Sequence, residues 1–328
     1  MKIVVMGSGA IGSLYGGFLT LNSEHNVTLV GRKPHIDAIA SHGLKITGVM
    51  GTHVVYPDTT TDPSSIEDAD LVLITTKTYD TVTAAKRVSH LVERGAYVMV
   101  LQNGIGTEKE IAESLDTKRV IRGTTCMGAI RTGPGKVKVT GTGLTEIGSH
   151  FPSNYGFIPI ISEMLRSAGF DVKVSDNIEG VVWTKTLVNC GINPIGALTG
   201  LTNGEVYENQ DLRGLIVQLV EEAVLVVEAL GINLTTEDPV RYALGTAKAT
   251  SSNINSMLQD IRAGKLTEID SITGKIINYA KELGIPTPAS ETVYALVKAL
   301  EAKCIAESDY REESSLDIDK LMKSISTP

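Results

Sequence analysis

The opening sixteen residues, MKIVVMGSGAIGSLYG, restrict the fold of this chain more than any other stretch. A β-branched apolar run over residues 2–6 reads as a buried strand, and a helical pattern over 10–22 follows it. Between them stand Gly7, Gly9 and Gly12 at G-x-G-x-x-G spacing. Gly7 permits the tight turn, Gly9 lets the backbone approach a pyrophosphate, and Gly12 allows close packing of helix on strand. The helix start then offers free N–H groups and the positive end of its dipole. The loop Gly7, Ser8, Gly9, Ala10, Ile11 and Gly12 is therefore the expected cradle of a dinucleotide. Ordinary turn glycines are the alternative, and the strand–turn–helix setting weighs against them.

The second strand, around 26–31, should end in a carboxylate if the ribose is that of NAD. It ends instead in Gly31, Arg32 and Lys33. Cations there suit a 2′-phosphate, which arginine can grip in bidentate fashion, so NADP(H) is the expected cofactor. Two solvated loop charges are the alternative. Apolar runs at 69–76, 96–102 and 119–125, separated in part by an amphipathic segment at 80–92, predict a parallel sheet covered on both faces. The alternating, glycine-rich 135–148 is expected to close that sheet with antiparallel strands. Ligands of such sheets lie beyond the carboxyl ends of the strands. Lys77 and Asn103 occupy two of those ends: the lysine could pair with a phosphate or position substrate, and the asparagine could bond the nicotinamide end. Asn103-Gly104 is also a common turn pair.

From about residue 178 the pattern becomes helical, over 179–193, 205–231, 236–262, 266–283 and 290–306. Gly284 is a plausible C-cap, Pro286 and Pro288 interrupt the last two helices, and the polar tail from Ser308 is expected to fray. The predicted fold is α/β: an N-terminal Rossmann-type dinucleotide-binding domain over 1–177, then an all-α domain over 178–328, with a cleft between them. The 328 residues are enough for two cores. The apolar run LIVQLVEEAVLVVEALG would serve the core of a monomer or the interface of a homodimer equally well.

A net charge of −8 argues against nucleic acid as a partner. Three scattered cysteines fit a reducing compartment, and six histidines without ligand spacing predict no metal. No apolar stretch is long enough to span a membrane. A cytoplasmic location is the default expectation.

The stretch VVWTKTLVNCGINP sets Lys185, Asn189 and Asn193 at four-residue intervals among apolar neighbours. Successive members differ by about 40° on a helix, so the three share one narrow face. A solvated face would carry more charge; this row lines a pocket or makes inter-domain hydrogen bonds. A pocket reading has chemical content. When hydride adds to a ketone, negative charge grows on oxygen, and a nearby ammonium can stabilise it and deliver the proton.

With GSGAIGSLYGG, TTKTYDT, LQNGIG, WTKTLVNCGINPIGALTGLTNGE, SMLQDIRAGKLTEID and ELGIPTP in this order, the chain resembles the ketopantoate reductase (2-dehydropantoate 2-reductase) family over most of its length. The resemblance implies NADPH-dependent reduction of a 2-oxo acid, ketopantoate, to pantoate. It makes Lys185 the general acid and Glu268 a carboxylate near the substrate hydroxyl and the nicotinamide ribose. It assigns Asn189, Asn193, Asn203 and, more weakly, Asn253 to substrate, and Ser256 to the substrate carboxylate. Arg32 matches the 2′-phosphate contact, and Lys77 and Asn103 match cofactor-side contacts. Thr273 and Ser290 stand where the family often has asparagine. A reductase of another 2-oxo acid and a non-catalytic NADP(H)-binding protein remain the rival readings.

Overall fold

A computed structural model describes residues 1–22 and 24–325, with side chains described to Glu307. The chain divides into two compact units, Met1–Val182 and Trp183–Pro328.

The first unit begins β1 (Lys2–Met6), α1 (Ala10–Asn22), β2 (Asn26–Val30), α2 (Lys33–His42), β3 (Leu44–Gly48), β4 (His53–Val55) and β5 (Asp58–Thr60). It continues β6 (Leu71–Ile74), α3 (Thr81–Lys86), α4 (Ser89–Glu93), β7 (Tyr97–Val100), α5 (Thr107–Ser114) and β8 (Val120–Thr125). It ends β9 (Gly128–Gly133), β10 (Lys136–Gly141), β11 (Thr145–Gly148), α6 (Ile158–Ser167) and β12 (Val172–Val174). The main sheet runs β12-β11-β8-β7-β6-β1-β2-β5. Its strands pair in parallel except where β11 meets β8.

Because the sheet is covered on both faces, successive residues of one strand must both be apolar. Ile3 and Val5 enter one core with Leu14, Phe18 and Leu165, whereas Val4 and Met6 enter the other with Ala84, Leu91 and Ile111. Each such fully buried side chain contributes about 1.5–3 kcal/mol. Tyr15 of α1 is buried, stacks on Phe170 at 4.2 Å and shares hydrogen bonds with Thr125 and Thr145. Its hydroxyl is satisfied while burial pushes its pKa up to about 12.

The stretch 135–148 departs from expectation. β11 does join β8 antiparallel, but β10 belongs to a second, four-stranded sheet ordered β4-β3-β10-β9. Pairing of β10 with β3 is parallel and spans some ninety residues, from Lys45 to Lys136, which no local pattern announces.

The second unit is helical: the rest of α7 (Ile178–Thr199), α8 (Asn203–Glu208), α9 (Gln210–Ala229), α10 (Pro239–Ala249), α11 (Ser256–Arg262), α12 (Thr273–Leu283) and α13 (Pro288–Ile325). The expected boundary at 177/178 is the start of α7; the units divide five residues later, inside that helix. The predicted helix 205–231 is two helices, because the Asn209 side chain accepts from Asp211 and Leu212 N–H groups and restarts the chain as α9. The predicted helix 236–262 is likewise two, α11 beginning at the Asn255 cap. Residues 266–272 are not helical, the Thr267 N–H and hydroxyl donating instead to Glu301 of α13. Gly284 takes the left-handed C-cap of α12, as the sequence implied. Helix α13 continues to Ile325 through the tail expected to fray; side chains from 308 onward lie outside the described residues. Among the described residues no helix is long and apolar enough to cross a membrane.

Candidate active site

The glycine loop sits at the carboxyl end of the central strand β1, between β6 and β2. Gly7 adopts φ +106°, and the N–H groups of Gly7 and Ser8 both donate to the Val30 carbonyl, at 3.1 and 2.9 Å. A Cβ at Gly12 would lie 2.2 Å from the Gly7 carbonyl oxygen and 2.5 Å from Thr75 Oγ1. A Cβ at Gly9 would meet only the Gly7 oxygen, at 4.0 Å. Gly12 is thus glycine for packing, whereas Gly9 faces open space where a ligand can reach backbone N–H groups. Ala10 and Ile11, partly exposed, open the first turn of α1, which has no acidic residue. That arrangement fits a pyrophosphate.

The adjoining strand end fits a phosphorylated ribose. At Gly31 an added Cβ would stand 1.8 Å from Ser8 Oγ, so a side chain has no room directly after β2. Arg32, exposed, occupies the N-cap position of α2 without using its side chain as a cap. Lys33 pairs with Asp37 at 2.9 Å. Beneath them the buried His35 accepts from Gly135 N–H at Nδ1, so its Nε2 carries the proton and donates to Ser13 Oγ, which donates on to the Ser8 carbonyl. Burial, with the Arg131 charge, lowers the His35 pKa to about 4.

Lys77 and Asn103 stand where the strands predicted them, beyond β6 and β7, and both are partly exposed. Lys77 precedes a short 3-10 turn and its carbonyl accepts from Asp80 N–H. The glycine loop and these two residues are therefore gathered at the carboxyl ends of adjacent strands in one unit.

In the second unit, α7 carries Lys185 and Asn189 as partly exposed positions in a helix otherwise buried from Gly180 to Ala197. Asn193 is 5% exposed. Asn203 opens α8, buried, with its amide donating to Thr250 Oγ1 at 2.8 Å while its Oδ1 has no protein partner. Asn253 is exposed, and its carbonyl accepts from Asn203 N–H. Ser256 is the first residue of α11; its neighbour Asn255, not singled out from sequence, supplies the cap.

Glu268 is buried in the irregular segment between α11 and α12. That segment is held from afar. Glu301 of α13 accepts from Thr267 N–H at 2.7 Å and from Thr267 Oγ1 at 2.5 Å, and it pairs with Lys298 at 2.9 Å. Lys298 also reaches Asp270, at 2.9 Å, where Tyr294 donates at 2.6 Å. Sequence reasoning missed Glu301 and Lys298; their i,i+3 spacing on a helix resembles any surface pair.

It also missed Arg122, which is 1% exposed in the middle of the main sheet. Its Nη2 donates to the carbonyls of Gln102 and Gly104, at 2.8 and 2.9 Å. Its Nε lies 3.4 Å from Glu108, which in turn stands 3.0 Å from His150. Burial opposes charge on Glu108, but His150 and Arg122 outweigh it and hold the carboxyl at about 2. An arginine within the apolar strand VIRGTT was the available signal.

Comparison with known proteins covers both units. A sequence family described as "Ketopantoate reductase PanE/ApbA" matches residues 3–151, and "Ketopantoate reductase PanE/ApbA C terminal" matches 177–301. The 2-dehydropantoate 2-reductases of Pyrococcus abyssi and Pyrococcus horikoshii are 40% and 41% identical to this chain over 302 residues, 92% of it and 98% of each relative. Among solved structures, a PanE/ApbA family ketopantoate reductase from Ralstonia eutropha superposes with a TM-score of 0.84 at 32% identity, covering 93% of this chain and 99% of that one. D-mandelate dehydrogenase, solved with NADH and anilino(oxo)acetate, gives 0.86 at 25% identity, with 93% and 99% covered.

Proposed function

This chain belongs to the ketopantoate reductase family, and we propose that it reduces 2-dehydropantoate to pantoate with NADPH, Lys185 acting as the general acid. The observation that carries the catalytic assignment is Lys185 itself, an ammonium presented at a partly exposed position of a helix whose neighbouring residues are buried. When bound, NADPH supplies the hydride that the carbonyl carbon takes up. The N–H groups of Gly7, Ser8 and Gly9 are bonded within the fold, so those at the start of α1, from Ala10 to Gly12, would hold its pyrophosphate, Arg32 its 2′-phosphate, and Lys77 and Asn103 its nicotinamide side. Lys185 stabilises the developing alkoxide and gives it a proton. Glu268 accepts from the new hydroxyl, Ser256 binds the carboxylate, and Asn189, Asn193 and Asn203 bind the remaining polar groups. The free Oδ1 of Asn203 supports its share of that task, because its amide nitrogen is already committed. Asn253 acts through its backbone, which holds Asn203, more than through its exposed side chain.

The likeness to D-mandelate dehydrogenase supports a second reading, reduction of an aryl 2-oxo acid with NADH. The Gly31-Arg32 strand end, lacking a carboxylate, favours NADPH over that alternative. On this reading the protein works on a small molecule and does so in the cytoplasm; a homodimer would use the apolar faces of the helical unit.

Lys185→Met tests the assignment. Removal of a general acid lowers kcat by roughly 10²–10⁴-fold. A Lys185→Met enzyme that keeps more than about a tenth of kcat would remove Lys185 from the mechanism.

A further inference from the structure

The side chains of Arg122, Glu108 and His150 meet in the first unit, the first two of them buried, and none is among the residues that would touch cofactor or substrate. Burying such a cluster is costly, and an apolar set of similar volume is often equally stable. What distinguishes this one is where its hydrogen bonds go. The guanidinium does not complete a sheet ladder: a single nitrogen grips the carbonyls of Gln102 and Gly104, the residues on either side of Asn103. Gly104 is left-handed, at φ +88°, which lets the turn present both oxygens to one donor. From Gln102 the network continues across the strand ends. Its side-chain amide donates to Thr81 Oγ1 at 2.6 Å and to Thr76 Oγ1 at 3.2 Å, and Thr81 Oγ1 donates to the Lys77 carbonyl at 3.4 Å.

We propose that Arg122 is a positioning residue for the cofactor side of the site: it clamps the Gln102–Gly104 turn and, through Gln102, the Thr76–Lys77 segment, fixing Asn103 and Lys77 relative to each other. The proposal rests on the reading of Asn103 as a cofactor contact. Glu108 balances the guanidinium and aims it, since a carboxylate at 3.4 Å from Nε leaves Nη2 turned toward the two carbonyls. A lysine could replace the charge but not the planar fork that serves a carboxylate and a turn together.

The test compares NADPH dissociation constants, measured by fluorescence titration, with amide hydrogen exchange of residues 102–106 in the ligand-free protein. The variants are Asn103→Ala, the paired Arg122→Met/Glu108→Gln, which leaves no buried charge unmatched, and all three changes combined. The paired variant should weaken NADPH by about tenfold, the scale of one charged hydrogen bond lost, and speed exchange in 102–106. In the Asn103→Ala background the same pair should weaken NADPH by clearly less than tenfold, because the part of the clamp that acts through Asn103 is already lost and only the part through Lys77 remains. A folded paired variant with wild-type affinity, or losses that multiply in the combined variant, would overturn the clamp while leaving Asn103 in its role. An Asn103→Ala enzyme with unchanged affinity and kcat would overturn the Asn103 reading and the clamp with it. Should the paired variant not fold, Arg122→Lys, which keeps the cation, decides the matter: weaker NADPH binding supports the clamp, and wild-type affinity refutes it.

Discussion

Replacing Gly12 by alanine separates the packing role of one glycine from the ligand-facing role of another. The new methyl would sit 2.2 Å from the Gly7 carbonyl oxygen and 2.5 Å from Thr75 Oγ1. Ordinary carbon–oxygen contact is about 3.3 Å, so the loop or the helix must move by about an ångström. Thr75 cannot simply rotate away, since its hydroxyl donates to that same carbonyl at 2.8 Å. Overpacking of this kind costs about 1–3 kcal/mol and loss of the hydrogen bond about 1 more, against a gain of about 1 from alanine's helix propensity. The net loss of about 1–3 kcal/mol corresponds to a Tm lower by about 3–10 °C for a unit of this size. Displacement of the loop should also weaken NADPH at least tenfold. Gly9→Ala has the opposite profile: with open space at its Cβ, it should leave Tm within about 1 °C yet weaken NADPH by a similar factor. Differential scanning calorimetry with a binding titration on both variants checks the pair. Equal Tm losses, or a Gly12→Ala protein with native Tm and affinity, would refute this division of labour.

Arg32→Ala should raise KM for NADPH about tenfold or more and change KM for NADH little, in steady-state assays with each nucleotide. His35 is neutral in the fold, with a pKa of about 4 against 6.5 in the unfolded chain. The unfolded state therefore binds the extra proton, and stability contributed by His35 should fall as pH drops from about 6.5 to 4, by about 1–2 kcal/mol after solvent screening. Urea denaturation across that range should show this slope, and His35→Gln should flatten it. Glu301→Ala should cost about 2–4 kcal/mol by releasing Thr267 and Lys298, and should lower kcat through the loosened Glu268; Glu301→Gln, which retains an acceptor, should keep most of both.

The Rossmann core was legible because its buried parallel strands are continuous apolar runs and its glycine loop has a fixed chemistry. β4, β5 and β12 escaped notice because three residues such as His53–Val55 carry no readable period. The small sheet was hidden for a different reason, since β3 and β10 find each other only after the chain has folded. Among the helices, apolar periodicity ran through Asn209 and Asn255, where side-chain caps restart the backbone. The Lys185 row was visible as spacing alone, whereas the setting of Glu268 depends on Glu301, thirty-three residues away, and that of Asn103 on Arg122. Side chains that act through a distant backbone leave no local pattern to read.

The central claim is tested most directly by kcat/KM of the purified protein for 2-dehydropantoate with NADPH, set against benzoylformate and other 2-oxo acids with NADPH and NADH. The account predicts that 2-dehydropantoate with NADPH gives the highest value and that the product is pantoate. A higher kcat/KM for an aryl 2-oxo acid with NADH, or no turnover of 2-dehydropantoate by protein that binds NADPH, would contradict it.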